Sequence, residues 1–259
     1  YGSNPVSVIW KIIVTPMVTP TITSIKDSKG VEIPPGGSTF DTSVTITGTA
    51  SKGQKVDVLD GTISKDKPPA SVETGIWTAT VRNLDVAVHN FTAKALYESE
   101  PVSSARTLTI IKAVSGSENW ALLPIGLIPF NSPLKLSSGL IFTATKLTSQ
   151  ATQARIYTTN LAPELGKMLA TGALTITQYE FGGPARKISI TYRQSIDDRN
   201  GITFYNQSGD FIHQEDLIID AFEIPHTLTF EYDDGCSSFK LHIANERLNG
   251  IAVTDIIWS

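Results

Sequence analysis

The sequence contains three pairs of neighbouring carboxylates, which are candidates for the catalytic groups of a hydrolase. They are Asp197-Asp198, Glu215-Asp216 and Asp233-Asp234. Cleavage of a glycosidic bond uses two carboxyl groups placed across that bond. Adjacent residues of a strand point to opposite faces, however, and adjacent acids in a turn are mostly solvated. We therefore expect none of these pairs to be catalytic.

Motifs of other enzyme classes are missing from the sequence. It contains no Gly-x-Ser-x-Gly and no His-Glu-x-x-His, and Gly182-Gly183-Pro184 lacks the Gly-Lys-Ser/Thr of a phosphate-binding loop. The single cysteine, Cys236, follows Asp-Asp-Gly without a nearby His or Asn pattern, so we interpret it as a loop or core thiol. We expect the four histidines, including His89, at the surface or at strand edges.

The acidic residues of the second half could instead hold a calcium ion. Hard cations take carboxylate and carbonyl oxygens from loops. The side chains that could supply such oxygens are Asp197, Asp198, Asn200, Asp233, Asp234 and Asp255. Neither EF-hand spacing nor a glycine-rich nonapeptide repeat is present, so solvated turn carboxylates remain the alternative to one structural calcium.

Aromatic and polar side chains of the second half form a candidate ligand-binding set. Sugar-binding faces combine aromatic rings with amide, carboxylate or guanidinium groups that contact hydroxyls. The candidates are Tyr192, Arg193, Tyr205 and Asn206, and the further aromatics Tyr157, Tyr179 and Trp258. Core packing is the alternative for most of them. We prefer Tyr205 and Asn206, because Ile202 and Phe204 should occupy the buried face of that strand and leave Tyr205 outside.

Length and composition indicate two domains made mainly of strands, which position these residues. The 259 residues suit two domains, each able to bury a core. Ser, Thr and Gly are abundant and only 18% of residues are charged, which favours strands and turns. One cysteine excludes an intrachain disulfide. Residues 1–114 carry 11 Lys and Arg against 10 Asp and Glu, and residues 115–259 carry 10 against 15. Neither half offers the basic surface that nucleic acids require.

Short strands separated by turns fill residues 17–113. The stretches with strand patterns are 21–26, 43–49, 55–59, 76–81, 89–95 and 107–111. Between them lie turn sequences such as Asp27-Ser28-Lys29-Gly30 and Asp60-Gly61, whose residues adopt turn geometry at low cost. Six short strands at this spacing are typical of a β-sandwich.

These motifs resemble a bacterial immunoglobulin-like repeat. The resemblance is carried by residues 21–25, 44–50 and 56–61, by Gly75-Ile76-Trp77 and by residues 89–96. It implies an immunoglobulin-like β-sandwich over residues 17–113, with Trp77 in the core and a mechanical role as a spacer. Because such repeats are common in long bacterial surface and secreted proteins, it also implies an extracellular or cell-surface location and flanking domains of a larger chain. Val88 replaces the usual Gly before His89.

The remaining segments define the domain organisation. Residues 1–16 form an N-terminal strand and linker, whose apolar stretch 6–14 could complete a neighbouring domain or pack on the second one. Residues 114–119 are small and polar, which is typical of a linker between domains. Residues 120–259 contain eight or nine strand patterns, a number that suits a jelly-roll β-sandwich.

Several strands of the second domain resemble those of jelly-roll carbohydrate-binding modules. The matching stretches are residues 188–192, 202–205, 226–230 and 253–258. The resemblance implies a carbohydrate or another surface ligand, bound by loops or by one sheet face. Such modules often hold one structural calcium, so the resemblance also makes Asp255 a candidate metal ligand.

The sequence therefore predicts an all-β, non-catalytic binding or adhesion segment of a secreted or cell-surface bacterial protein. In it, an immunoglobulin-like spacer presents a jelly-roll module that binds carbohydrate or a cell-surface protein. Two alternatives stay open, namely a purely structural stalk of an adhesin or toxin and a glycan-active enzyme. Membrane insertion is not expected, because the longest apolar stretch, residues 121–130, is too short and is interrupted by Pro124, Gly126 and Pro129.

Overall fold

The computed structural model confirms the all-β fold class. It describes residues 18–97, 99–160, 163–193, 199–222, 224–244 and 250–259. Strands account for 53% of the chain, and the helical content of the described residues is one 3-10 turn at Pro163–Leu165. The chain divides into two compact units, Tyr1–Ile110 and Ile111–Ser259. The strand expected at residues 6–14 lies outside the described residues.

In the first unit, the described residues form eight strands of a β-sandwich. They are β1 (Thr21–Lys26), β2 (Ser38–Thr39), β3 (Val44–Thr49), β4 (Val56–Asp60), β5 (Ile63–Asp66), β6 (Ile76–Val81), β7 (Val88–Ala95) and β8 (Arg106–Ile110). One sheet has the order β1-β3-β6 and the other the order β2-β8-β7-β4-β5, in which β2 runs parallel to β8. The two sheets share one apolar core.

Period-two alternation places the core residues of this unit. Val44 and Ile46 of β3 are buried, whereas Thr45 and Thr47 are half-exposed on the other face. Trp77 of β6 lies over the backbone of Gly48, whose Cβ, if present, would come within 2.3 Å of the indole ring. The large core aromatic therefore depends on a position without a side chain in the neighbouring strand.

His89 is buried, so the expectation of a surface or edge position was wrong for this residue. Its Nδ1 lies 2.7 Å from Oδ2 of Asp60, and its Nε2 lies 2.9 Å from the carbonyl oxygen of Asp85. The other carboxylate oxygen of Asp60 accepts a hydrogen bond from the backbone N–H of Asn90. This polar cluster ties β4 to β7 with its hydrogen-bonding groups satisfied.

Asp60 makes the stability of the first unit depend on pH. Burial opposes ionisation of Asp60, but the hydrogen bonds from His89 and from the N–H of Asn90 outweigh it and lower the pKa of the carboxyl group. A lowered pKa in the folded state adds stability above the ordinary pKa of Asp, and this stability is lost as the pH falls through the folded-state value.

We expect Asp60→Asn to lower the free energy of unfolding of the first unit by about 1–3 kcal/mol near neutral pH, because a charged hydrogen-bond partner is lost. The difference from the native chain should shrink as the pH falls below the ordinary pKa of Asp and Asp60 becomes protonated. Hydrogen exchange of the β4 and β7 amides, compared at matched pH, measures it. The exposed Glu73→Gln is the control, and a difference that does not change with pH would contradict the assignment.

Eleven strands are present in the described part of the second unit. They are β9 (Gly116–Glu118), β10 (Gly126–Leu127), β11 (Leu134–Lys135), β12 (Ile141–Lys146), β13 (Arg155–Tyr157), β14 (Met168–Ala170), β15 (Thr175–Arg193), β16 (Gly201–Tyr205), β17 (Phe211–Asp216), β18 (His226–Ile243) and β19 (Ala252–Trp258). The segment expected to be a linker, residues 114–119, contains β9, which pairs with the end of β19.

Two long strands, β15 and β18, connect the two layers of this unit. Residues 175–180 of β15 pair with β12 and with residues 238–243 of β18, and β16 and β17 extend this first layer. Residues 187–193 of β15 pair with the start of β18 and with β19, next to β14, β13 and β10. Register shifts around Ala185 mark the bend between the layers.

An aromatic cluster fills the space under the first layer. The rings of Tyr179 and Phe239, which face each other across β15 and β18, stack with centroids 4.4 Å apart. Phe142 and Trp120 pack edge-on against Tyr179 at 5.3 and 6.5 Å. All four side chains are fully buried in the single large core of the unit. Burial of this much aromatic surface, with ring geometries that favour attraction, stabilises the layer.

We expect Tyr179→Ala to lower the free energy of unfolding of the second unit by about 3–5 kcal/mol, since it leaves a cavity beside three other aromatic rings. Tyr179→Phe keeps the ring and loses only the contact between its hydroxyl and Oγ1 of Thr177, so it should cost about 1 kcal/mol. Urea unfolding of the full chain checks both values. Equal losses in the two variants would show that ring packing does not hold this layer.

No helix in the part of the chain that the structure describes is long and apolar enough to cross a membrane.

Candidate functional site

The outward surface of the first layer of the second unit gathers polar and aromatic side chains from four strands. We call it the outer face and define it by Gln178 and Glu180 of β15, Ser238, Lys240 and His242 of β18, Thr203 and Tyr205 of β16, and Phe211 and Gln214 of β17. Residues directly opposite each other in antiparallel strands share a face. The cross-strand register therefore fixes which of these side chains are neighbours.

One row of the outer face crosses all four strands. Glu180 lies opposite Ser238, Ser238 lies opposite Tyr205, and Tyr205 lies opposite Phe211. The residues between them in sequence point inward, as the buried Tyr179, Phe204 and Phe239 show. The prediction that Ile202 and Phe204 are buried and leave Tyr205 outside is confirmed. Tyr205 is partly exposed, whereas Ile202 and Phe204 are fully buried.

The ring of Tyr205 is held in place by a cation. The ammonium nitrogen of Lys240 lies 4.7 Å from the ring centroid, over the ring. A cation at this distance is attracted by the electron-rich face of the ring. The pair combines an apolar ring with a charged group that can donate three hydrogen bonds. Such a combination suits a ligand that has both C–H faces and hydroxyl groups.

Gln178 and Glu180 form the second polar pair of the outer face. The side-chain nitrogen of Gln178 donates a hydrogen bond of 2.9 Å to Oε1 of Glu180. This contact orients the carboxylate along β15. Because each carboxylate oxygen accepts more than one hydrogen bond, Glu180 retains acceptor capacity.

His242 adds a neutral polar group at the far end of the face. Burial and the positive charge of Lys240 both lower the pKa of the His242 imidazole. The ring is therefore uncharged near neutral pH. Lys240 and Glu180 carry charges of opposite sign on the outer face, and the exposed Asp216 of β17 lies on the same side, across Gly201 from His242.

A pocket of about 280 Å³ lies at the Tyr205 end of the outer face. We call it the end pocket. Its lining consists of Gln178, Glu180, Gly182, Gly183, Asn206, Gln207, Gly209, Ser237 and Ser238. The walls come from β15, from the bend of β15 and β18, and from the turn between β16 and β17. The hydroxyl of Ser237 is buried and has no hydrogen-bond partner in the protein.

Asn206 shapes this turn and lines the end pocket. Its Oδ1 accepts hydrogen bonds from the backbone N–H groups of Ser208 and Asp210, at 3.0 and 2.8 Å. Its Nδ2 donates to the carboxylate of Asp210 at 3.1 Å. A side-chain acceptor that replaces backbone partners is the usual device of such turns. The position of the pocket wall therefore depends on Asn206.

We expect Asn206→Ala to lower the free energy of unfolding by about 1–2 kcal/mol, because two backbone N–H groups lose their acceptor. Asn206→Ser keeps a side-chain acceptor without placing a second carboxylate beside Asp210, so it should retain more of the stability than the alanine variant. Urea unfolding of the full chain measures both. If the two variants lost the same stability, the turn would not depend on the Oδ1 acceptor.

The other two residues of the predicted ligand-binding set lie away from the outer face. Tyr192 is only 1% exposed, and its hydroxyl accepts a hydrogen bond of 2.8 Å from the backbone N–H of Ile218. Burial raises the pKa of that hydroxyl. Arg193, at the end of β15, donates from a guanidinium nitrogen to the carbonyl oxygen of Phe222 at 3.1 Å. In this structure both residues hold the loop that precedes β18.

The three predicted calcium ligands are not brought together. Asp255 lies opposite Thr191, in the middle of β19, where β19 pairs with β15 in the second layer. Asp233 contacts Arg186 at 3.5 Å near the bend, and Asp234 follows it in an exposed position. Within the described ranges, no group of three or more His, Cys, Asp and Glu side chains could hold a metal ion. Asp197 and Asp198 lie outside those ranges, and a structural calcium stays a prediction.

The Glu215-Asp216 pair and the Cys236 thiol make contacts within the protein. Glu215 and Asp216 are successive residues of β17, and Glu215 contacts His213 at 3.0 Å. Cys236 is buried, and its thiol donates to the carbonyl oxygen of Ser238 at 3.2 Å. Burial raises the pKa of this thiol to about 11, so it stays protonated near neutral pH.

An apolar groove of about 300 Å³ lies elsewhere in this unit, beside β10. Leu123, Pro124, Leu127 and Pro133 are among its lining residues. Leu122, which precedes it, is 83% exposed. The groove offers few polar groups for orienting a hydroxylated ligand, in contrast to the outer face.

Comparison with known proteins identifies no family. No protein-family model and no curated protein sequence matches the chain. Among solved structures, the chain is similar to a family 6 carbohydrate-binding module, with 14% identity and a TM-score of 0.30 over 46% of this chain and 93% of that one. It is also similar to the lectin domain of lectinolysin complexed with Lewis b antigen, with 7% identity and a TM-score of 0.26 over 46% and 90%.

An exo-β-1,3-galactanase from Phanerochaete chrysosporium is similar over 94% of this chain and 57% of its own, with 11% identity and a TM-score of 0.29. Identities and TM-scores this low carry no argument about function. The resemblance of the first unit to bacterial immunoglobulin-like repeats likewise stays a prediction. The function must be argued from the side chains of the outer face.

Most of the outer face was missed from sequence. Gln178, Glu180, Ser238 and Lys240 alternate with buried residues, so their outward direction was readable once β15 and β18 were known to be long strands. The signal that would have found them is the alternation in Thr175–Arg193 and His226–Ile243 across the Gly182-Gly183 and Gly235 positions. The cross-strand neighbours themselves are set by register, which the sequence does not state.

Proposed function

We propose that this chain is a non-catalytic binding segment of a secreted or cell-surface bacterial protein, and that its second unit binds carbohydrate on the outer face. The observation that carries the proposal is the Tyr205 ring, half-exposed and held by Lys240 beside the Gln178–Glu180 pair. The first unit then serves as the spacer. The flanking domains implied by the immunoglobulin-like resemblance belong to the same proposal.

The chemistry of the outer face matches that of a sugar ring. A pyranose presents C–H groups on its faces and hydroxyl groups at its edge. An aromatic ring supplies apolar contact for the former, and amide, hydroxyl, ammonium and carboxylate groups supply directional hydrogen bonds for the latter. The outer face places both kinds of group on adjacent strands, whereas the apolar groove beside β10 supplies mainly the first kind.

A rigid scaffold under the ring supports the proposal. Tyr205 follows Phe204, whose side chain packs against Phe239 and Phe230 with ring centroids 5.9 and 4.2 Å away. Binding groups on a fixed strand lose little freedom when a ligand binds. The face is therefore organised before the ligand arrives.

We expect Tyr205→Ala to weaken glycan binding by the full chain by at least about tenfold, about 1.4 kcal/mol, because the ring and the anchor of Lys240 are lost together. Tyr205→Phe should keep most of the affinity. Isothermal titration calorimetry against neutral oligosaccharides that a glycan array has selected measures the change.

Tyr157→Ala is the matched control, since Tyr157 is a half-buried tyrosine with Arg155 over its ring at 5.4 Å, in the other layer. It should leave the affinity unchanged. If the native chain retained no glycan in either assay, the proposal would fail in favour of a purely structural stalk. Cleavage of a bound oligosaccharide over time would instead favour the glycan-active enzyme.

A further inference from the structure

We infer that the end pocket is a subsite for one uncharged sugar ring, and that Glu180 determines this specificity. The inference deepens the proposed function and rests on it, because it names the ligand class that the outer face accepts. It adds a second contact region beside the Tyr205 ring, with a different kind of lining.

The shape of the end pocket limits how much ligand it can hold. Three groups of residues line it, namely Gln178 and Glu180, the bend at Gly182, and the turn that contains Asn206, and it is otherwise open to solvent. Its volume of about 280 Å³ lies just below the range of small-ligand sites, roughly 300–1,000 Å³. This suits one ring, while the rest of an oligosaccharide extends over the Tyr205 ring.

The lining of the end pocket is built from hydrogen-bonding groups. It contains two side-chain amides besides that of Asn206, two serine hydroxyls and one carboxylate, and no aliphatic side chain. Gly182 has a φ of +75°, which turns the backbone at the pocket wall. The lining matches a ligand that is polar along its whole edge, which is the character of a sugar.

The buried hydroxyl of Ser237 is the second observation that points to a ligand. It is shielded from solvent and makes no hydrogen bond within the protein. A buried hydroxyl without a partner is destabilising, so native proteins pair such groups with protein, water or ligand. Ser237 is among the residues that line the end pocket, and its hydroxyl would meet a ligand there after a change of rotamer.

Charge then selects the class of sugar. Glu180 is the only charged residue among the described residues that line the end pocket. The carboxylate of Asp210, which is not part of the lining, accepts a hydrogen bond from the pocket residue Asn206. The ammonium group of Lys240 is directed at the Tyr205 ring and is not part of the lining. A sugar carboxylate placed in the pocket would face a like charge, whereas a hydroxyl would donate to Glu180.

The experiment compares paired ligands. Neutral gluco-, galacto- and manno-oligosaccharides are each matched with the C6-oxidised uronate of the same linkage and length, and titrated against the full chain at two salt concentrations. We expect the native chain to bind a neutral member at least about tenfold more tightly than its uronate partner. Added salt should narrow this ratio, because it screens the repulsion.

Glu180→Gln is the decisive variant. It keeps the shape and an acceptor oxygen but removes the charge, so the neutral-to-uronate ratio should fall toward one while the neutral ligand loses only a few-fold in affinity. Glu164→Gln, an exposed change in the 3-10 turn, is the matched control and should leave the ratio unchanged. Circular dichroism of each variant confirms that the fold is intact.

Two results would overturn the inference, and they differ from each other. If Tyr205→Ala abolished binding but the neutral-to-uronate ratio of the native chain were near one, or were unchanged in Glu180→Gln, the subsite would be wrong and the proposed function would stand. If the native chain bound no member of any pair, both would be wrong.

Discussion

The pairing of β15 with β18 holds the second unit together through both layers, with shifts of register around Ala185. The two strands run antiparallel from Thr175 opposite Ile243 to Tyr192 opposite His226, through both layers. Backbone groups buried in a core must be paired, and this ladder pairs them on both sides of the bend at Ala185. A slip of one residue would exchange the two faces, which would bury Glu180 and expose Tyr179.

The same register joins stability to the candidate function. On the inner side the ladder stacks Tyr179 on Phe239, and on the outer side it sets Glu180 beside Ser238 and Lys240 beside Gln178. The aromatic core therefore fixes the strands whose opposite faces form the binding surface. Asn206 has a similar double position, because it closes the β16–β17 turn and also lines the end pocket.

Local patterns in the sequence predicted what depends on local patterns. Alternation gave the all-β class and the directions of Val44, Ile46, Phe204 and Tyr205. It did not give the length of β15, because Gly182-Gly183-Pro184 resembles a break between strands, whereas in the structure it is the bend of one strand. Pairings across distant segments were also out of reach. No pattern in the sequence around His89 indicates that Asp60, 29 positions away, is its partner. The N–H of Ile218, which donates to the hydroxyl of Tyr192, lies in an irregular loop.

A crystal of the full chain, soaked with a neutral oligosaccharide that the glycan array has selected, would show directly whether the outer face binds the sugar. We expect one sugar ring in the end pocket, with hydroxyls within hydrogen-bond distance of Glu180 and Ser237, and the next ring beside Tyr205. A sugar bound elsewhere, for example in the apolar groove beside β10, with the outer face empty, would contradict it.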